Sequence, residues 1–80
     1  MLNELASSNK VAGVKQSRKA VRDGRAAKVF LARDADPAIT EALEEECTVH
    51  GVPVEWGFSL SELGRACRIS VGAAVAVILR

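Results

Sequence analysis

Hydrophobic and polar positions along the 80-residue chain alternate between helical and strand-like spacing. The opening segment "LNELASS" predicts a short helix, and residues 11–14 predict a short extended piece. Residues 16–22 are predicted to form a helix that ends at a "DG" pair, with Gly24 just past the C-cap. The continuous apolar run "KVFLA", residues 28–32, is typical of a strand that is covered on both faces.

The clearest helix of the chain lies in "PAITEALEEECTVH". Asp36 can cap this helix, Pro37 suits its first position, and Gly51 can end it. Apolar residues at three- and four-residue spacing predict a buried stripe, and glutamates fill the opposite side. The predicted stripe consists of Ile39, Ala42, Leu43 and Cys47.

The C-terminal third of the chain adds a strand, a helix and a strand. "VPVEW" predicts a strand, in which Pro53 favours an edge position or a strand start. "SLSELGRAC" predicts a helix with a capping box of Ser59 and Glu62. "GAAVAVILR" predicts a final strand, and its alternating residues are expected on one side. The alternating set is Val71, Ala73, Val75, Val77 and Leu79.

Helices that alternate with strands indicate an α/β domain, because each helix can cover one face of a sheet. We therefore predict a three-layer α/β/α sandwich with a small four-stranded mixed sheet. Four strands and four helices fit the length, and no linker or repeat divides the chain, so residues 1–80 are predicted to form a single domain.

Charge is unevenly distributed, although the net charge is only +1. Seven of the eleven basic residues lie between residues 10 and 28, where Asp23 is the only acid. Four of the ten acids lie within residues 41–46. The sequence therefore predicts a basic end and an acidic surface elsewhere.

Targeting signals and membrane spans are not apparent in the sequence. The N-terminus lacks the apolar segment of a signal peptide, and the apolar run 71–79 is far shorter than the ~20 residues of a membrane helix. Cys47 and Cys67 fall in predicted helices and are expected to be small buried hydrophobes. We expect a cytoplasmic protein with reduced thiols and no membrane partner.

Enzymatic signals are weak throughout the chain. His50 ends the long helix, where a histidine complements the helix dipole, and with Cys47 it lacks the further ligands of a zinc site. Asp34 and Asp36 flank a strand end, where α/β active sites lie, but capping explains Asp36. We predict no enzymatic activity, no metal, no cofactor and no small-molecule substrate.

Two other stretches raise the question of a ligand. "GVKQSRK" places Lys15, Arg18 and Lys19 at a helix start, where the backbone dipole is already positive. The stretch is either a solvated basic face or a site for a polyanion. In "LGRACRISVGAA", Ile69 and Val71 are either core anchors or an exposed apolar contact.

Three motifs, taken together, resemble those of the ribosomal protein L7Ae family of kink-turn-binding proteins, and its small bacterial-type members in particular. The motifs are "GVKQSRKAV", "KVFLARDADP" and "LGRACRISVGAAVAV", in this order and spacing. The resemblance extends from about residue 8 to residue 79 and implies an α/β/α sandwich. Many members carry Asn-Glu at Lys15-Gln16, although bacterial-type members resemble Lys-Gln, and glycine is common at Arg68.

The resemblance implies a role in RNA binding for two loops. The positions of Lys15 and Gln16 contact base edges of tandem sheared G·A pairs in the family, and the position of Lys19 supports that contact. The loop matching residues 68–71 covers a flipped-out nucleotide. The RNA-binding residues implied are Gly13, Val14, Lys15, Gln16, Ser17, Arg18, Lys19, Arg22, Arg68, Ile69, Ser70 and Val71.

These residue types suit that chemistry. Lys15 can donate to guanine O6 and N7, and the Gln16 amide can read an exposed base edge. Ile69 and Val71 can cover an unstacked base. The remaining basic residues can neutralise phosphate without reading sequence. They are Arg18, Lys19, Arg22, Arg25 and Lys28.

The functional hypothesis is a monomeric RNA-binding protein that recognises and stabilises kink-turns in structured RNA, such as ribosomal RNA or a riboswitch. The alternative hypothesis is a protein-interaction module on the same fold that docks through the acidic helix, residues 37–50. Simple solvation of that helix also accounts for its glutamates.

Overall fold

Seven helices and strands follow one another in the computed structural model, which describes residues 9–80. They are β1 (Lys10–Ala12), α1 (Val14–Arg22), β2 (Ala26–Ala32), α2 (Pro37–His50), β3 (Val54–Phe58), α3 (Leu60–Ala66) and β4 (Val75–Leu79). All of the elements predicted within these residues are confirmed, with bounds that move by a few residues. The predicted opening helix lies outside the described residues.

The four strands form one mixed sheet in the order β1-β4-β2-β3. β4 is antiparallel to both β1 and β2, whereas β2 and β3 are parallel. Residues 29–32 of β2 and residues 75–78 of β4 are buried on both faces, which explains why these stretches are continuous apolar runs. β3 lies at the edge predicted from Pro53, whose carbonyl oxygen accepts a hydrogen bond from the Val29 amide at 3.0 Å.

Two apolar clusters cover the opposite faces of this sheet. On one face, Val21 of α1 and Leu43 and Cys47 of α2 pack against Val29 and Val77. On the other face, residues of α3 pack against the strands. The second cluster consists of Phe30, Ala32, Leu63, Ala66, Ala73, Ala76 and Ile78. The predicted three-layer α/β/α sandwich is therefore confirmed.

Both predicted caps of α2 are present. The Asp36 carboxylate accepts a hydrogen bond from the Ala38 amide at 2.9 Å, and Gly51 adopts a left-handed conformation with a φ of 69°. The predicted stripe is only partly correct. Leu43 and Cys47 are buried, but Ala42 is exposed and Thr40 takes its place in the core.

The prediction for β4 needs a larger correction. The strand begins at Val75, and only Val75, Val77 and Leu79 of the alternating set face α1 and α2. Ala73 packs on the opposite face, and Val71 is 69% exposed. The residues before Val75 follow α3 as a loop, so the strand periodicity does not extend to them.

Ser17 provides a test of this core. Its side chain has no exposed surface, and its hydroxyl has no hydrogen-bond partner within residues 9–80. Because an unsatisfied buried hydroxyl is costly and alanine favours helices, Ser17→Ala is expected to raise the free energy of unfolding by about 1 kcal/mol. Urea denaturation measures the change.

Leu43→Ala serves as the control, since it empties a fully packed site and should lower the free energy of unfolding by about 2–5 kcal/mol. A loss of stability in Ser17→Ala comparable to that of Leu43→Ala would show that the hydroxyl has a favourable partner.

Candidate nucleic-acid interface

The two stretches that the sequence singled out lie at the same edge of the sheet. The Gly13 amide, at the end of β1, donates to the Val75 carbonyl oxygen at 3.1 Å. The Ala32 amide, at the end of β2, donates to the Ala74 carbonyl oxygen at 2.8 Å. The start of α1 and the loop that leads into β4 therefore meet here. We call residues 13–19 and 67–74 together the loop edge.

The N-terminus of α1 has no neutralising group among residues 9–80. Gly13, the N-cap, has a φ of 100° and a ψ of 151°, and neither a side-chain cap nor an acidic residue occupies the first turn. The Ser17 amide is the first to bond within the helix, to the Gly13 carbonyl oxygen at 3.0 Å. The preceding amides are left to face external acceptors, and with Lys15 they make this end positive.

The outer face of α1 carries most of the predicted contact residues. Positions 15, 18, 19 and 22 share one side of the helix because of their spacing. Six residues line an open groove of about 550 Å³ along α1: Val14, Lys15, Gln16, Arg18, Lys19 and Arg22. Ser17 is the exception among the predicted contact residues, because its side chain is buried in the core and does not reach this face.

Some of the basic residues already have an acidic partner, and others do not. Arg22 Nε lies 2.8 Å from Glu46 Oε1 of α2, and this hydrogen bond holds the pKa of the Glu46 carboxyl below its usual range. Lys19 and Arg25 lie 3.7 and 3.8 Å from the Asp23 carboxylate. Among residues 9–80, Lys15 makes no ion pair. The predicted separation of basic and acidic surfaces is thus incomplete, because α2 packs beside α1.

Distance from the loop edge divides the basic residues further. Arg22 lies about 10 Å along α1 from Lys15. Arg25 precedes β2 at the opposite end of the sheet, where its carbonyl oxygen accepts from the Arg80 amide at 2.8 Å. Seven residues of β2 separate the two ends by about 20 Å. Arg25 therefore belongs to a different surface from Lys15, contrary to the sequence grouping. Lys28, near the start of β2, forms an ion pair with Glu55, with 2.7 Å between the ammonium nitrogen and the carboxylate oxygen.

The loop before β4 presents aliphatic side chains to solvent. Ile69 is 40% exposed and Val71 is 69% exposed, and Ser70 between them is exposed as well. Of the two alternatives left open by the sequence, the structure favours an exposed apolar contact. Arg68 has a φ of 61°, which explains why glycine suits this position.

Helix α3 fixes the shape of this loop. The Ile69 amide donates to the Gly64 carbonyl oxygen at 3.1 Å, and the Ala73 amide donates to the Leu60 carbonyl oxygen at 3.0 Å. A Cβ at Gly64 would overlap the Val71 carbonyl oxygen. Sequence reasoning missed the role of Gly64, although a glycine inside a short helical pattern is a signal of close packing.

The carboxylates at the ends of β2 and β3 are occupied by structural contacts. Asp34 Oδ1 accepts from the Leu60 amide at 2.7 Å, and Asp36 caps α2. Glu62 Oε1 accepts from the Ser59 amide at 2.9 Å, which lowers the pKa of the Glu62 carboxyl, and Arg33 Nη1 lies 3.3 Å away. These groups position α3 beside the loop edge.

Cys47 is buried in α2 as predicted, whereas Cys67 lies just past the end of α3 and is only partly buried. Burial raises the pKa of the Cys47 thiol to about 11, and it also raises the pKa of the Cys67 thiol. Within residues 9–80, no group of histidine, cysteine and carboxylate side chains is arranged to hold a metal ion. The helices in this part of the chain are too short or too polar to cross a membrane.

Comparison with known sequences gives the same assignment as the motifs. The model of the ribosomal protein L7Ae/L30e/S12e/Gadd45 family matches residues 2–80. The chain belongs to this family. An RNA-binding protein of Geobacillus sp. (strain WCH70) is 41% identical over 76 residues, which cover 95% of this chain and 93% of that protein. The RNA-binding protein YbxF of Geobacillus stearothermophilus is 43% identical over 70 residues, covering 88% and 85% of the two chains.

Solved structures share the L7Ae fold. The Giardia lamblia 15.5kD RNA binding protein superposes with a TM-score of 0.89 at 35% identity, covering 99% of this chain and 70% of that one. A protein of unknown function from Bacillus halodurans C has a TM-score of 0.90 at 25% identity, with 99% and 83% covered. The resemblance to the L7Ae family expected from three motifs is confirmed.

Gly64 allows a test of how this L7Ae-family chain holds its aliphatic loop. An alanine in a helix interior normally adds up to about 1 kcal/mol over glycine, but here its methyl group meets the loop backbone. Gly64→Ala is therefore expected to lower the free energy of unfolding by about 1–3 kcal/mol, a cost typical of overpacking. Gly57→Ala is the control, because its nearest contact would be an ordinary 3.9 Å. A stabilised Gly64→Ala variant would contradict the close approach.

Arg68 allows a second test, of backbone strain. A left-handed residue other than glycine costs about 1–2 kcal/mol. Arg68→Gly and Arg68→Ala remove the same charge, but only glycine relieves the strain. The larger entropy of an unfolded glycine offsets part of this relief. We therefore expect the free energy of unfolding of Arg68→Gly to be higher than that of Arg68→Ala by no more than about 1 kcal/mol. A urea midpoint for Arg68→Gly below that of Arg68→Ala would contradict strain at this position, because the entropy of the unfolded glycine would then be the larger effect.

Proposed function

We propose that the protein binds structured RNA and stabilises kink-turns through its loop edge. The observation that carries this proposal is the meeting of an unneutralised helix N-terminus with an exposed aliphatic loop at one edge of the sheet. Relatives of this chain are named RNA-binding proteins, which supports an RNA partner. Candidate targets are ribosomal RNA and riboswitches, and the protein would act as a cytoplasmic monomer without catalysis.

Base recognition is assigned to the start of α1. Lys15 and Gln16 are exposed there, and Lys15 has no competing acid within residues 9–80. The Lys15 ammonium can donate to guanine O6 and N7, and the Gln16 amide can both donate and accept at a base edge. Sheared G·A pairs expose such edges, whereas regular A-form RNA hides them in a deep groove. Gly13 leaves room for this approach, since no atom of residues 9–80 lies within 4 Å of the position that a Cβ would take there.

Backbone contacts are assigned to the outer face of α1 that continues from Lys15. Arg18 makes no ion pair within residues 9–80 and lines the groove along α1. Its Nε is buried, so a phosphate would contact the outer nitrogens of the guanidinium. Its charge also helps to lower the pKa of the Glu46 carboxyl, so part of that charge is already offset. Lys19 is 68% exposed at its side chain and only loosely paired with Asp23. Arg22 is expected to contribute less, because Glu46 already offsets its charge.

The aliphatic loop is assigned to the unstacked nucleotide of the bulge. Ile69 and Val71 offer apolar surface that water covers poorly, and the face of a base can replace that water. Arg68, at the start of the loop, adds a cation toward the nucleotide's phosphate.

The proposed mechanism is a shift of an RNA equilibrium. A kink crowds phosphates, so the kinked state is disfavoured until cations or a protein compensate. A protein that binds only the kinked state raises its population by the difference in affinity. Conversion from 1:99 to 99:1 requires about 5.5 kcal/mol of preference.

A gel shift compares a short kink-turn RNA with a copy whose G·A pairs are converted to Watson–Crick pairs. Strong preference for the first RNA is expected. Equal binding would reduce the protein to a nonspecific polyanion binder. Binding to neither RNA would favour a protein-interaction module built on α2, where Val49 is 76% exposed near Glu45.

Lys15→Ala is expected to weaken kink-turn binding by about 1–3 kcal/mol, as for the loss of a base-reading contact. Arg25→Ala is the matched control, because Arg25 is ion-paired and lies at the opposite end of the sheet. Fluorescence-anisotropy titration of both variants at one salt concentration measures the difference. Similar losses of affinity in the two variants would show that charge, and not position at the loop edge, governs binding.

A further inference from the structure

We propose that Arg65 and Ser61 of α3 form a phosphate-binding groove with the aliphatic loop, and that this groove takes a phosphodiester of the bound RNA. The inference rests on the proposed function and adds residues of a third element to its surface. It also places a contact on the α3 face of the sheet, opposite the face that carries α1.

The size and lining of the groove indicate its ligand. It has a volume of about 220 Å³ and is lined by Ser61, Arg65, Ile69, Ser70, Val71 and Gly72. This volume falls below the ~300–1,000 Å³ of most small-molecule pockets, so a single phosphate group fits better than a metabolite. The guanidinium and two hydroxyls supply donors, and no carboxylate of residues 9–80 lines the groove.

The charge of Arg65 is available to a ligand. Arg65 is exposed and makes no ion pair within residues 9–80. Glu62, three residues earlier on α3, is instead engaged by Arg33 and by the Ser59 amide. A guanidinium without a local counter-ion is suited to bidentate contact with phosphate oxygens.

The walls of the groove are held in place before any ligand arrives. Ser61 and Arg65 are four residues apart and share a side of α3. The opposite wall is the loop that Gly64 allows to approach α3 closely, tied by the hydrogen bond from the Ile69 amide. A fixed backbone on both sides of the groove reduces the entropy that a contact with phosphate costs.

The groove continues the proposed RNA surface. Ile69 and Val71 line it and also form the apolar surface assigned to the unstacked base. A nucleotide whose base lies against the aliphatic loop would therefore bring its own or the neighbouring phosphate to Arg65. RNA phosphate, as opposed to a free anion, is the occupant that this continuity favours.

The test measures the salt dependence of kink-turn RNA binding for three proteins: the unmodified chain, Arg65→Gln and Arg65→Lys. Each phosphate contact contributes roughly 0.7–0.9 to the slope of log K against log salt concentration. Arg65→Gln is expected to lower the slope by about that amount and to raise Kd about three- to tenfold at low salt, whereas Arg65→Lys should keep the slope. Because every protein meets the same RNA, the salt dependence of RNA folding cancels.

Arg25→Gln is the control for removal of a cation far from the loop edge and should leave the slope nearly unchanged. An unchanged slope in Arg65→Gln, with specific binding intact, would overturn the groove and leave the proposed function standing. Failure of the unmodified chain to distinguish the kink-turn from its Watson–Crick copy would overturn both. A titration of the free protein with inorganic phosphate, followed by the NMR signal of the Arg65 guanidinium, separates the two sources of the ligand. Saturation of this signal at millimolar phosphate would indicate a general anion site and overturn the RNA assignment.

Discussion

The position of β4 between β1 and β2 is the constraint on which the rest of this structure depends. Because β4 is antiparallel to both neighbours, its first residue lies beside the last residues of each. The hydrogen bonds of Gly13 to Val75 and of Ala32 to Ala74 are the final rungs of these two ladders. They bring the start of α1 next to a loop more than fifty residues later in the sequence. Without this pairing, the cationic and aliphatic segments would be unrelated patches.

Local signals were sufficient for most of the fold. The helix caps are formed by residues that are close in sequence, so the sequence alone identifies them. They are Asp36, Gly51 and the Ser59–Glu62 capping box. The failures have a common physical cause. Ala42 fits the helical spacing of the stripe but faces solvent, because α2 lies on the sheet along a line through Thr40, Leu43 and Cys47. Val71 and Ala73 fit strand alternation, yet the close contact at Gly64 holds them to α3 as a loop.

The candidate site was predicted to a similar extent. Motif spacing located the contact stretches, but it could not show which cations were already neutralised. Arg22 and Arg25 look equivalent to Lys15 in the sequence, and their counter-ions come from α2 and from Asp23 at the far end of α1. Ser17 follows the basic motif in sequence while its side chain turns into the core. Arg65 was overlooked because its significance depends on a groove formed with residues that follow α3.

Three locally unfavourable features meet at the loop edge. The helix N-terminus has cations where anions are stabilising, at up to about 1 kcal/mol for each charge. Arg68 occupies a left-handed conformation, and Val71 exposes aliphatic surface to water. The uncapped start of α1 contrasts with the other helices, since α2 and α3 are capped by Asp36 and Ser59. Where several such costs lie together at one edge, a single ligand can offset them. A polyanion with an unstacked base offsets the charge and the apolar exposure together, whereas a simple anion or an apolar peptide would offset only one of them.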